Sequence, residues 1–278
     1  MNLNINNFKN LKDFILKHNK IMVLTGAGVS SDSGINTYRD HDGDWLVKKP
    51  MHHNEFITNV DVRKRYWTRS FVGWPIMENA KPNIAHHALV KLERQGKLEV
   101  LITQNVDRLH QKAGHKKVID LHGRLDKVFC LDCKNRELRS DVQDRLLNDN
   151  PHLFNLVANT RPDGDAQVEE NISKRTISPN CIFCGGILMP EVIFFGGTIP
   201  KSVVTDSLDS LEKADALLVV GSSLTVFSGF RFCRHAKMQN KPIVAINKGW
   251  TRADDMYDFK IQENCSDVFK MLSEEALV

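Results

Sequence analysis

Ile21-Met-Val-Leu-Thr-Gly-Ala-Gly-Val-Ser-Ser-Asp-Ser-Gly-Ile35 is the stretch on which the reading of this chain turns. A β-prone apolar run, residues 21–24, passes straight into Gly26, Ala27 and Gly28, and hydroxyl-bearing residues follow up to Ile35. Glycines after a parallel strand let the backbone approach a pyrophosphate, with the N-terminus of the next helix facing the anion. The usual dinucleotide spacing Gly-x-Gly-x-x-Gly is met at Gly26 and Gly28, but Ser31 stands in the third place. No acidic residue closes an obvious second strand about 20 residues further on. Taken alone, the loop fits a tight turn as well as a nucleotide site.

Working outward, similar apolar runs recur at residues 100–103, 192–195, 217–220 and 243–246, separated by helix-like stretches at 83–95, 201–213 and 229–238. Continuous β-rich runs alternating with helices predict a parallel sheet covered on both faces, an α/β doubly wound fold. In such sheets ligands bind beyond the carboxyl ends of the strands. Two more polar loops follow strand-like runs, Gly221-Ser222-Ser223 and Asn247-Lys248-Gly249, so three loops converge on one expected nucleotide site. The N-terminal spacing of Leu3, Asn7, Leu11, Phe14 and Ile15 predicts a short amphipathic helix packed on the body.

The 278 residues suggest roughly two domains by length. The expected division is a nucleotide-binding domain from residues 1–39, 83–123 and 191–278, a helical insertion at 40–82, and a metal-binding module at 124–190 with a helix near 140–148. Hydrophobic residues at 41% and charged residues at 26% exclude a disordered or fibrous chain. No apolar run approaches the ~18 residues of a membrane span. A net charge of +4 from scattered basic residues gives no ground for nucleic-acid binding. Neither a membrane nor a nucleic acid is therefore an expected partner. With neither signal-peptide nor Arg-rich transit features at its start, the cytoplasm is the expected location.

The six cysteines carry their information in their spacing. Cys130-Leu-Asp-Cys133 and Cys181-Ile-Phe-Cys184 are two Cys-x-x-Cys knuckles, each able to aim two thiolates at one ion. Four thiolates leave no open coordination position, so the expected zinc is structural. The gap between knuckles runs from Lys134 to Asn180, well beyond the ~15–20 residues of an ordinary ribbon, and contains many acids. That argues against a DNA-reading module.

Thr103-Gln104-Asn105-Val106-Asp107 follows another strand, with Leu121-His122-Gly123 beyond it. Together with the residue 26–35 loop, Tyr38-Arg39, the cysteine knuckles, Gly221-Ser222-Ser223 and Asn247, these motifs resemble the sirtuins, in the family's order over nearly the whole chain. Arg69-Ser-Phe-Val-Gly-Trp-Pro75, the long knuckle gap and Pro162-Asp-Gly-Asp165 resemble the class II branch, which includes a mitochondrial sirtuin.

The resemblance implies a Rossmann-type domain with a zinc module, NAD as co-substrate, and an acylated lysine of a protein or peptide in the cleft between. It places Gly26, Ala27 and Gly28 at the pyrophosphate, with Arg39 near the reactive end. Asn105 and Asp107 would hold the nicotinamide, and Gln104 the adjoining ribose. Gly221, Ser222, Ser223 and Asn247 would take the adenosine side, with Cys265 near the adenine, and Ile35, Tyr38, Val106, Lys248 and Gly249 are further expected cofactor-binding residues. His122 matches the catalytic histidine and can accept a ribose proton near neutral pH. His52, His53, His86, His87, His110 and His115 are read as structural. Phe194-Phe195-Gly196 resembles the segment that pairs with substrate peptide, and Gly197 stands where many deacetylases have an acid. That departure points to acyl groups longer than acetyl. Tyr66-Trp-Thr-Arg69 resembles a Tyr-x-x-Arg used to grip acyl carboxylates. The resemblance thus implies an NAD-dependent protein-lysine deacylase; ADP-ribosyl transfer to protein and non-catalytic NAD sensing are the alternatives, the second opposed by the presence of His122, Asn105 and Asp107 together.

Overall fold

Nine strands are described: β1 Ile21–Thr25, β2 Leu98–Thr103, β3 Val118–Asp120, β4 Gly123–Cys130, β5 Arg136–Leu138, β6 Leu188–Val192, β7 Ala216–Val220, β8 Ile243–Ile246 and β9 Phe259–Ile261. The structure, a computed structural model, describes residues 5–37, 50–156 and 168–274. Six strands form one parallel sheet in the order β3-β2-β1-β7-β8-β9. Counted within that sheet alone, this is the doubly wound order 3-2-1-4-5-6, and the chain reverses direction of travel between β1 and β7. A crevice must open there, above the carboxyl ends of both strands.

The alternating side chains of β1 explain why both faces are covered. Ile21 and Val23 join a core with Leu11 and Ile15 of helix Ile5–Lys17, Leu89 and Leu92 of helix Ile84–Arg94, and Phe269 and Leu272 of helix Cys265–Glu274. Met22 and Leu24 face the other way, onto Leu211 of helix Lys201–Lys213 and Phe232 and Ala236 of helix Phe227–Met238. A run that is apolar at every position therefore has an apolar layer on each side. The amphipathic N-terminal helix is present, with Leu11, Phe14 and Ile15 buried; Leu3 lies outside the described residues.

The remaining strands form a small antiparallel sheet, β5-β4-β6. It carries the helix Arg139–Asp149 and packs with helices His53–Thr58 and Val60–Asn79 around Phe56, Trp67, Val128, Leu146 and Leu188. Pro162 to Asp165 lie outside the described residues. One predicted strand is corrected. Residues 192–195 do not enter the parallel sheet; the strand lies upstream as β6 and pairs with β4. Gly196 at φ 75° turns the chain, and Phe195 bridges His52 instead. Two edge strands, β3 and β9, have no counterpart in the sequence reading, because each is only three residues long and none of the three in β3 is fully buried.

Candidate active site

The reversal between β1 and β7 opens a cleft of about 820 Å³, lined from the parallel sheet by the loops after β1, β2, β7 and β8. The first two glycine positions are explained by how tightly those loops meet. A Cβ on Gly26 would lie 2.7 Å from Ser222 Cβ, and one on Gly28 would lie 2.9 Å from Gly221 Cα. Gly221 is left-handed, φ 62°, and a Cβ there would lie 2.3 Å from Val29 N. Gly28 N–H donates to Gly221 O at 2.8 Å, fastening the two loops together. Gly34, rather than a third glycine of the usual fingerprint, closes the 3-10 helix Ala27–Ser33 in a left-handed cap.

Gly26, Ala27, Gly28, Ile35, Gln104, Asn105, Val106 and His122 line the cleft, as do Gly221, Ser222, Ser223, Asn247, Lys248 and Cys265. Asp107 does not reach it but lines a small adjoining recess with Ala27, Ser30, Ile35 and Asn105. Gly249 is absent from the lining; its carbonyl accepts from Lys260 Nζ at 3.1 Å and Asn247 Nδ2 at 3.3 Å, a loop-closing task. Tyr38 and Arg39 lie outside the described residues. Tyr66 and Arg69 are also absent from the lining, because helix Val60–Asn79 points the Tyr66 ring into the neighbouring core against Phe56, Trp67 and Phe194.

The recess is built on one hydroxyl. Ser30 Oγ donates to Asp107 Oδ2 at 2.8 Å, and Asn105 Nδ2 donates to Ser30 Oγ at 3.1 Å. Leu109 N–H also donates to Asp107 at 2.8 Å. Burial nevertheless holds the Asp107 carboxyl above the usual range, with those hydrogen bonds opposing it. Gln104 is fixed by donation to Ser222 Oγ at 2.8 Å, and Gly229 leaves it room, since a Cβ there would lie 2.4 Å from Gln104 Oε1. Ser30 was read only as part of the residue 26–35 loop, without a role of its own, and Gly229 was not singled out.

His122 sits in the turn between β3 and β4, held from both sides. Its carbonyl accepts from Ile193 N–H at 2.9 Å. Its Nδ1 lies 3.0 Å from Gln104 O, a carbonyl that can only accept, so Nδ1 carries the proton. Nε2 is then left as an acceptor, and Ser228 Oγ lies 2.8 Å from it. Burial pushes the His122 pKa down to about 4, the Gln104 carbonyl opposing and the Arg231 charge adding to the shift. At neutral pH the ring is an uncharged base with its lone pair turned toward the cleft wall. Ser228 is a third residue that the sequence reading did not single out.

Behind the glycine loop lies a chain of buried imidazoles. The His110 ring stands 4.7 Å from that of His86 and 5.4 Å from that of His115, and its Nε2 lies 2.9 Å from Thr25 Oγ1. Burial lowers all three pKa values, that of His86 to about 3. Below about pH 6.5 the unfolded chain protonates these rings while the folded chain does not, so stability is lost as pH falls toward 4. At pH 5 that costs about 2 kcal/mol for a ring as strongly shifted as His86. The urea midpoint should therefore drop steadily from pH 7 to pH 4.5. A flat midpoint over that window would mean the rings titrate normally.

The cysteine knuckles meet as expected. The ligand sulfurs of Cys130, Cys133, Cys181 and Cys184 all lie within 4.8 Å of one another. Cys130 Sγ is 3.5 Å from Cys184 Sγ, and Cys133 Sγ is 3.6 Å from Cys181 Sγ. A tetrahedron with zinc–sulfur bonds of about 2.3 Å has edges of about 3.8 Å, so the set fits one zinc ion. The cluster ties β4, through Cys130, to the loop before β6. It is separate from the cleft lining and would be structural.

Among the described residues no helix is long and apolar enough to cross a membrane. NAD-dependent protein deacetylase 2 of Bradyrhizobium diazoefficiens is 49% identical over 257 residues, 92% of this chain and 94% of that one. NAD-dependent protein deacylase Sirt4 of Drosophila melanogaster is 42% identical over 267 residues, 95% of this chain and 86% of that one. A solved Sir2–p53 peptide–NAD+ complex superposes with a TM-score of 0.78 at 28% identity, over 97% of this chain and 98% of that one. Residues 26–228 match the Sir2 family. With the doubly wound sheet, the interlocked glycine loops and the four-cysteine cluster in place, the chain belongs to the Sir2 family.

Proposed function

We propose that this chain is an NAD-dependent protein-lysine deacylase that moves the acyl group to ADP-ribose and releases nicotinamide. The observation that carries this reading is His122, an uncharged base whose tautomer is fixed by Gln104 O and whose Nε2 adjoins the nucleotide cleft. Gly26 to Gly28, beside Gly221, would take the pyrophosphate. Gly221 to Ser223, Asn247, Lys248 and Cys265 would take the adenosine side, and Gln104 a ribose. The Asn105–Ser30–Asp107 network offers donor and acceptor groups suited to a carboxamide such as nicotinamide. Breaking the bond from nicotinamide to ribose leaves positive charge on the sugar carbon, and the acyl amide oxygen bonds to it when held close. His122 Nε2 then takes a ribose hydroxyl proton; that oxygen attacks the imidate carbon, the lysine amine departs with a proton, and water adds to the cyclic acyl cation left on the ribose to give O-acyl-ADP-ribose.

This reading assigns the domain carrying the parallel sheet to NAD and the cysteine module to structure. The acylated peptide would lie along Phe194-Phe195-Gly196, which lines the cleft. One edge of that segment is already used, since Phe195 N–H donates to Met51 O and its carbonyl accepts from His53 N–H. A peptide would pair from the opposite side.

Class II resemblance and Gly197 support acyl groups longer than acetyl. A Cβ at Gly197 would lie 2.9 Å from Phe194 O, so the tight turn favours glycine over the acid found in many deacetylases. Each buried methylene contributes about 0.8 kcal/mol, and two or three would shift selectivity more than tenfold. Incubation with NAD and an acyl-peptide panel, read by mass spectrometry, is expected to give O-acyl-ADP-ribose with kcat/KM rising from acetyl to longer chains. Acetyl as the best substrate would reject the chain-length part. Transfer of ADP-ribose to protein, or no product at all, would reject the deacylase reading.

A further inference from the structure

The helix Phe227–Met238 borders the cleft and contains Arg231, Arg234 and Lys237 but no acidic residue. Phe227, Arg231, Arg234 and Met238 follow one another at helical spacing along one stripe. The guanidinium carbons of Arg231 and Arg234 lie 5.5 and 6.0 Å from the Phe227 ring centroid. Across the rim, Arg252 lies 4.5 Å from the Phe230 centroid and donates from Nη1 to Thr225 O at 3.1 Å. Phe227 is 47% exposed and the nearby Trp250 is 50% exposed.

Among the described residues no carboxylate forms an ion pair with Arg231, Arg234 or Arg252. Asp254, close to Arg252 in sequence, is held by Lys260 Nζ at 2.8 Å. Arg231 Nε is buried without a hydrogen-bond partner. A guanidinium has five N–H donors, so contact of its carbon with an aromatic ring leaves donors for a carboxylate. The rim is also continuous with the site, because Thr225, Val226, Arg231 and Trp250 line the cleft.

We propose that this arginine–aromatic rim docks an acidic stretch of polypeptide flanking the modified lysine. The proposal rests on the deacylase reading for the identity of the cleft's occupant. Charge complementarity selects the acidic flank, and the exposed Phe227 and Trp250 supply apolar contact that a polypeptide can use. A nucleic acid is less well matched, since three guanidiniums at one cleft mouth give no track for a phosphate backbone.

The test uses three peptides bearing the same acyl-lysine, with acidic, neutral or basic residues on both sides. The wild-type enzyme is expected to show a KM for the acidic peptide about tenfold below that for the neutral one at low salt, narrowing as ionic strength rises. Arg234 and Arg252 are both exposed. The double variant Arg234→Gln, Arg252→Gln should bring the ratio close to one, leaving neutral-peptide turnover and KM for NAD unchanged; Arg234→Gln alone should remove part of it. Equal KM values in the wild type, or a ratio that survives the double variant, would overturn the proposal. So would a rise in KM for NAD on every peptide, which assigns the arginines to dinucleotide phosphates. Stronger competition from a single-stranded oligonucleotide than from a non-acylated acidic peptide would assign the rim to nucleic acid. Anisotropy with the same peptides separates the two readings. Acid-selective binding without turnover would reject deacylation and keep the rim, whereas turnover without selectivity would reject the rim alone.

Discussion

His122→Ala is expected to lower acyl transfer by on the order of 10²–10⁴-fold, the usual contribution of a positioned general base. The ring is held at both nitrogens, by Gln104 O at 3.0 Å and Ser228 Oγ at 2.8 Å, so its loss removes a prepared proton acceptor. The glycine loops that would hold NAD are fastened to each other rather than to His122, so NAD affinity should stay within a few-fold of wild type. Calorimetric NAD binding beside a deacylation assay reads both quantities. Near wild-type turnover would remove His122 from the role of base. Loss of NAD binding together with the fold would instead identify it as a buried structural residue. Ser228→Ala should cost less, because the Gln104 carbonyl alone still fixes the tautomer.

Cys130→Ser should abolish zinc binding and unfold the module around β4. Structural zinc in small domains contributes about 10–16 kcal/mol of apparent binding energy, which is folding energy where no site exists beforehand. Cys130 is fully buried at the end of β4 and belongs to the apolar cluster of Val128, Leu146 and Leu188, so a serine also strands a hydroxyl there. Metal analysis should fall from one zinc per chain to none, with a collapse of the thermal transition. Cys233→Ser and Cys265→Ser should keep the metal, since neither belongs to the cluster. Stoichiometric zinc in Cys130→Ser would sink the ligand assignment.

What the sequence made legible followed from local patterns with a single physical solution. The run at residues 21–24 is apolar at every position and β-branched or long-chained, as a strand with cover on both faces requires, and both cores are present. The two knuckles reach one point because thiolate spacing fixes their reach. The same logic failed where structure depends on distant packing. Residues 192–195 look like a sheet strand, yet the turn at Gly196 and the bridge from Phe195 to His52 take them out of the ladder. The Tyr66 motif is correct in letters, but the helix aims the ring at Phe56 and Phe194 rather than into the cleft. Ser30, Ser228 and Gly229 matter because of partners 77, 106 and, for Gly229, many residues away, and no window along the chain contains both ends.

The place of β1 between β2 and β7 has a consequence for synthesis. As the chain leaves the ribosome, β2 and β3 can pair on one side of β1 early, but its other edge has to wait for Ala216–Val220. At about 5–20 residues per second that interval is on the order of 10–40 s. Throughout it, Ile21 to Thr25, four of them apolar, leave one row of backbone groups unpaired, an edge of the kind that recruits foreign strands. The nascent N-terminal half is thus the aggregation-exposed species, and any truncation before residue 216 would make that exposure permanent.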